Sequence, residues 1–232
     1  MNSMKKTARI AGSLYFIYIV ATIFANTSRT KLFEFGNAIA TANNILASEG
    51  LFRIGFMSDV LAGVLFLLTA WALYVLLKPV NENIALLFVL LNMGGVAVQC
   101  LNMLNLFSAM LLLSGANYLK VFQADQLQAL AMLFIDLHKN GFMIAQLFYG
   151  AWLFPLGYLV FKSGYLPKIL GIILMIECFG WLMYPFQFFL FPAYEVISYL
   201  SFAVGFIGEF SLTFWLLIKG VKEQKPDVLR AS

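Results

Sequence analysis

Charge is scarce in this chain: 11% of its 232 residues are Asp, Glu, Lys or Arg, against 62% that are hydrophobic. A soluble domain of that composition would leave a very large apolar surface in water, so the composition excludes one and points to lipid as the solvent. The single histidine excludes bis-histidine haem ligation. The two cysteines, Cys100 and Cys178, lie inside apolar runs and read as small core side chains, with no disulfide framework to build. No His, Cys and carboxylate cluster has metal-ligand spacing, and no P-loop or dinucleotide glycine pattern follows a strand. No metal or cofactor is expected.

What is abundant is long hydrophobic runs. Six stretches of roughly 20 apolar residues are each long enough to cross a hydrocarbon core of about 30 Å. They fall approximately at residues 10–26, 56–77, 84–106, 142–161, 169–188 and 197–218. The expected fold class is an all-α membrane protein, a six-transmembrane-helix bundle forming one domain over residues 1–232. The net charge of +4 does not indicate nucleic acid, because the basic residues are spread over loop ends and tails. Ten of the 15 basic residues, including Lys5, Lys6, Arg9, Lys78, Lys162, Lys168, Lys219, Lys222, Lys225 and Arg230, fall on one side of this topology. Arg29, Lys31, Arg53, Lys120 and Lys139 fall on the other, so the positive-inside rule predicts that both termini are cytoplasmic. The first span, which carries Tyr15 and Tyr18, reads as a retained span and not as a cleaved signal peptide.

Two of the outer loops have helical patterning of their own. From Glu34 to Gly50, the apolar residues Phe35, Ala38, Ile39, Ala42, Ile45 and Leu46 recur opposite Asn37, Thr41, Asn44 and Ser48. From Gln123 to Lys139, Leu127, Leu130, Ala131, Phe134 and Leu137 do so opposite Asp125, Gln126, Gln128 and Asp136. Both predict amphipathic helices at the outer membrane face.

Polar residues inside a bilayer are expensive and face the bundle, so a site is sought among them. In the third span Asn92, Gly95, Gln99 and Asn102 fall within about 80° on a helical wheel and form a seam. The fifth span aligns Glu177, Gly180, Trp181 and Tyr184, and the sixth aligns Ser198, Phe202, Gly205, Glu209 and Thr213. Counting about 1.5 Å per residue puts Glu177, Glu209, Gln99 and Gln146 near mid-membrane depth, where no Lys, Arg or His reaches. Glu177, Glu209, Gln99, Gln146 and Asn92 are therefore the candidate intramembrane site. The two carboxyls must be neutralised by protonation, by hydrogen bonds or by a bound cation.

A second polar group gathers near the outer face: Glu49, Arg53, Asp59, Asn102, Asn105, Asp136 and His138. Arg53 is expected to pair with a carboxylate, Glu49, Asp59 or Asp136. Asp136 and Lys139 are neighbours on one helix while His138 points elsewhere, so Asp-Leu-His is not a preformed dyad. A hydrolase here would need a nucleophile, for example Ser58 or Ser108, brought to His138 by the fold.

The run from Gly150 to Gly171, Gly-Ala-Trp-Leu-Phe-Pro-Leu-Gly-Tyr-Leu-Val-Phe-Lys-Ser-Gly-Tyr-Leu-Pro-Lys-Ile-Leu-Gly, resembles the hallmark of a bacterial membrane family known as domain of unknown function 4386. The segment Ala42 to Gly55 resembles that family's approach to its second span, and the similarity covers residues 7 to 220. Lys162 and Lys168 stand where arginine is common in relatives. The resemblance implies a bacterial inner-membrane protein of about six spans and assigns no residue a role. In physical terms, Pro155 and Gly157 should loosen the fourth span, and Pro167 should start the fifth.

Three classes of function follow. The favoured one is a non-enzymatic bundle that binds lipid, a small hydrophobic ligand or a membrane partner. The second is a small proton- or cation-coupled transporter using Glu177 and Glu209, and the third is an intramembrane enzyme using the outer polar group.

Overall fold

A computed structural model of the chain describes residues 3–194, 196, 198, 199 and 206–222. The start of the expected sixth span at Ile197, its Phe202 and Gly205, and Lys225 and Arg230 of the tail lie outside the described residues. The described elements are α1 (Ser3–Leu32), α2 (Ala38–Ala47), α3 (Glu49–Leu77), α4 (Glu82–Leu112), α5 (Ala124–Ala151), α6 (Leu153–Lys162), α7 (Lys168–Leu190) and α8 (Ile207–Ile218). A single 3-10 turn, Asn117–Leu119, stands between α4 and α5.

Among the described residues, five helical segments are long and apolar enough to cross a membrane: α1, α3, α4, α7, and α5 together with α6 over Ala124–Lys162. The sixth expected span is represented among the described residues by the 12-residue α8, which does not by itself have that length. Large apolar side chains face outward along these helices, among them Leu68, Trp71, Leu90, Leu101, Ile176 and Phe179. In water this surface would drive aggregation, whereas in hydrocarbon it is solvated.

The fourth span and the amphipathic segment before it form one long element with a break. Pro155 has no N–H to give to the Ala151 carbonyl, and its ring crowds that turn, so α5 ends at Ala151 and α6 restarts after Trp152. The break places Trp152, fully buried, against Phe66 at 4.8 Å between ring centroids and against Tyr15 at 6.2 Å. Tyr18 stacks on Phe66 at 4.1 Å, completing an aromatic centre between α1, α3 and the α5–α6 break. A second apolar cluster, built on Leu32, Ile45, Phe52, Leu106 and Ile135, fills the other end of the bundle.

The α6–α7 hairpin is close because neither helix has a side chain at the crossing. A Cβ on Gly157 would stand 2.7 Å from the Gly171 carbonyl oxygen, and one on Gly171 would stand 2.6 Å from the Phe161 nitrogen. The turn is tight: Ser163 donates to the Val160 carbonyl at 2.8 Å, Gly164 has φ +72°, and Pro167 precedes Lys168, the first helical residue. Lys162 lies over the Tyr158 ring and Lys168 over the Phe161 ring. The buried Tyr165 hydroxyl donates to the Leu76 carbonyl at 2.7 Å, satisfying one of the four acceptors that the end of α3 leaves free. The Tyr165 carbonyl in turn accepts from the Lys222 amide at 3.0 Å. The N-terminal Lys5, the α3 end, the α6–α7 turn and the chain after α8 thus gather at one end of the bundle.

At the opposite end, α2 begins where the Asn37 side chain accepts from the Ala40 amide at 3.0 Å. It buries Thr41, Ala42 and Ile45, while Phe35, Ile39 and Leu46 of its expected apolar face point outward. The helix seats itself through a narrower stripe than its pattern predicts, chiefly against α5.

Candidate functional site

Buried carboxylates need donors, and helix starts have donors without acceptors. The structure joins the two. Glu177 on α7 is fully buried, and its Oε2 accepts from the Glu209 amide in the first turn of α8 at 3.1 Å. Phe206, at the N-cap of α8, has no side-chain oxygen to do this, so a carboxylate from the neighbouring helix does for α8 what a capping side chain does. Gly208 makes the approach possible: a Cβ there would run into the Glu177 carboxylate and stand 3.2 Å from Leu174.

The Glu209 side chain turns the other way, to α1, where the fully buried Tyr15 hydroxyl donates to it. Thr213, one turn further along α8, is also fully buried. Glu177, Glu209 and Tyr15 therefore tie α7, α8 and α1 together through one polar chain in an otherwise apolar layer.

The remaining intramembrane candidates lie elsewhere. Gln99 is half-buried and accepts from the Asn102 amide at 3.4 Å, so it belongs to the outer group. Gln146 is buried on α5. Asn92 is fully buried one turn from Phe88 and Val96, and its amide atoms have no hydrogen-bond partner among the described residues.

The outer group divides into three. Asn102 on α4 donates to the His138 carbonyl at 2.8 Å and lies 3.1 Å from the ring Nδ1, while Asn105 donates to the Asn102 Oδ1 at 3.0 Å. This interhelical contact fits because Gly141 carries no side chain where Asn102 enters α5. Asp59 on α3 pairs with Arg29 on α1, both largely buried. Arg53 pairs with Glu49 at 2.6 Å on one exposed face of α3, one turn apart. Asp136 is half-buried, and its backbone carbonyl accepts from the Asn140 side chain. Neither nominated serine reaches His138: Ser108 donates to the Leu104 carbonyl and Ser58 to the Ala21 carbonyl.

Sequence reasoning overlooked three residues of these arrangements: Tyr15, Arg29 and Gly208. For Arg29 a signal existed, since it is a basic residue in the last turn of α1 with an acid, Asp59, on the next span. For Tyr15 the signal was weaker, a hydroxyl on the small-residue face that carries Ala8, Ala11 and Gly12.

The model of the family described as domain of unknown function 4386 matches residues 10–220. The chain belongs to this family. The hallmark run is the part of the family fold described above as the Pro155 break and the Gly157–Gly171 crossing. The chain is also similar to an uncharacterized protein of Archaeoglobus fulgidus, 33% identical over 159 residues, a match that spans 68% of this chain and 79% of that protein. No solved structure matches it.

Proposed function

We propose that this family member is a non-enzymatic membrane bundle that binds lipid or a small hydrophobic ligand, and that its intramembrane polar residues brace the helices. The observation carrying this reading is that four polar contacts each join two different helices: Glu177 with the start of α8, Glu209 with Tyr15, Asn102 with His138, and Arg29 with Asp59. What such a protein offers a ligand is its apolar surface. On this reading α8 and the residues before it complete a sixth span, the chain lies in the bacterial inner membrane, and both termini are cytoplasmic, as the basic asymmetry argues. Native mass spectrometry of the detergent-purified protein tests the binding part. Retained lipid or hydrophobic ligand is expected, and a bare polypeptide mass under conditions that preserve the fold would overturn it.

A second reading, a proton- or cation-coupled transporter using Glu177 and Glu209, is favoured by one observation. Discontinuous helices that begin beside ionisable groups inside the membrane are a recurrent device in transporters, and α8 begins at Glu177. Its test is gradient-driven flux in proteoliposomes.

A further inference from the structure

The bundle covers only part of the apolar surface of α2. Thr41, Ala42 and Ile45 are buried, Ile39 and Leu46 are 60% and 53% exposed, and Asn43, Asn44 and the N-cap Asn37 are exposed and polar. At about 100° per residue, Ile39 and Leu46 fall within about 60° of Ala42, between the buried sector and the asparagines. Phe35, in the turn leading into the helix, is exposed as well. A helix lying over the bundle end in water needs two sectors, one buried and one polar. A third sector, apolar and beside the buried one, suits a helix at the perimeter that meets protein, acyl chains and water on successive sides.

Lys139 fixes the level of this helix. Its ammonium lies 4.8 Å from the centroid of the Phe35 ring and 5.5 Å from that of Phe188, in the last turn of the spanning helix α7. Phe186, Phe189 and Leu190 face outward around that turn, so the apolar outer surface of α7 continues to the level at which α2 starts. A lysine there keeps its charge at the polar boundary while the rings beside it take the apolar side. The other connection at this end has the same character: Tyr118, Val121 and Phe122 are exposed around Lys120, while Leu119 is buried.

We propose that α2 lies in the plane of the adjacent leaflet with Phe35, Ile39 and Leu46 inserted into its acyl layer, and that the α4–α5 connection inserts Val121 and Phe122 in the same way. The bundle then carries an interfacial collar at this end in place of aqueous loops. Acyl chains are the partner, met through apolar contact alone and with no headgroup preference. The sequence pattern predicts a surface helix, and the structure adds which side of it meets protein and which is left for lipid. This inference needs only that the spans lie in a bilayer, and it stands apart from the retention of a bound lipid or ligand.

Nitroxide labels in proteoliposomes test it, placed at single cysteines in a Cys100→Ala/Cys178→Ala parent. At Ile39→Cys, Leu46→Cys and Val121→Cys, collision with oxygen is expected to exceed collision with a water-soluble nickel chelate, at a depth of about 5–10 Å below the headgroup boundary. Asn43→Cys should show the reverse, and Leu101→Cys, at an outward position of α4 that is 69% exposed, calibrates the membrane interior. Nickel dominance at Ile39→Cys and Leu46→Cys would overturn the insertion of α2, and at Val121→Cys that of the connection. Little collision with either reagent would also overturn it, by showing the sector covered by another protein chain. The wild-type chain is checked in parallel by photolysis in liposomes whose phospholipid carries a diazirine on its acyl chain. Adducts are expected within residues 35–46 as well as on α4, and adducts on α4 with none on α2 would overturn the proposal.

Discussion

Gly208 leaves open the space through which the Glu177 carboxylate reaches the first turn of α8. One small residue and one acid on different helices thereby solve two problems together. A helix that starts among apolar side chains gains an acceptor for its free amides, and a buried carboxylate gains donors.

Gly208→Ala should therefore act through Glu177. The added methyl displaces the carboxylate and leaves it short of a donor, a loss of about 1–3 kcal/mol. Glu177→Leu should lower the detergent melting midpoint similarly, while Glu177→Gln, which keeps an acceptor oxygen, should stay near wild type. A Gln variant as unstable as the Leu variant would show that the cap is not what Glu177 provides.

The two ion pairs should behave oppositely. Arg29→Ala leaves the largely buried Asp59 without its partner, a destabilisation of about 3 kcal/mol. Arg53→Ala breaks an exposed pair within one helix and should change stability by less than about 0.5 kcal/mol. Thermal melts of the two variants side by side decide this, and a larger loss for Arg53→Ala would contradict it.

The hairpin crossing makes a further prediction. Gly157→Ala places a methyl 2.7 Å from the Gly171 carbonyl oxygen and 2.9 Å from Met175, forcing α6 and α7 apart. Overpacking of this kind should destabilise by about 1–3 kcal/mol. Gly50→Ala, where nothing stands within 4 Å, is the matched control in the melting assay.

Tyr165 gives a pH dependence outside the spans. Burial pushes its phenol up to about 12, above its ordinary value of 10.0. The folded form therefore keeps the proton where the unfolded form has lost it. The resulting stability is fully present below pH 10 and is lost as pH rises toward 12. Tyr165→Phe removes the bond to the Leu76 carbonyl, should cost about 1 kcal/mol, and should flatten the alkaline fall in melting midpoint relative to wild type.

The helices were legible because apolar runs of this length have one stable form in lipid, and the Pro155 break followed from a missing amide. Which polar groups meet was less so. On a wheel, Asn92, Gly95, Gln99 and Asn102 form one seam, but along the axis that seam is about 15 Å long. Its middle packs on Tyr149 through Gly95, and its outer end meets His138. The Tyr15 contact with Glu209 joins residues 194 positions apart and depends on how α1 rotates against α8, which is set by close approaches such as that at Gly12, where a Cβ would stand 2.8 Å from the Leu217 nitrogen. Hydropathy carries no trace of that rotation. Arg53 illustrates the same gap: it finds Glu49 on its own helix, while Asp59 is taken by Arg29 from α1.

The most direct test of the bracing account is flux. Wild-type protein and the Glu177→Gln/Glu209→Gln variant are reconstituted in liposomes with a pH- or cation-sensitive dye inside, and proton, sodium and potassium gradients are imposed in turn. The account predicts that neither moves charge above protein-free liposomes and that the variant folds like wild type. Gradient-driven flux in the wild type that the folded variant loses would contradict it and put the transporter reading in its place.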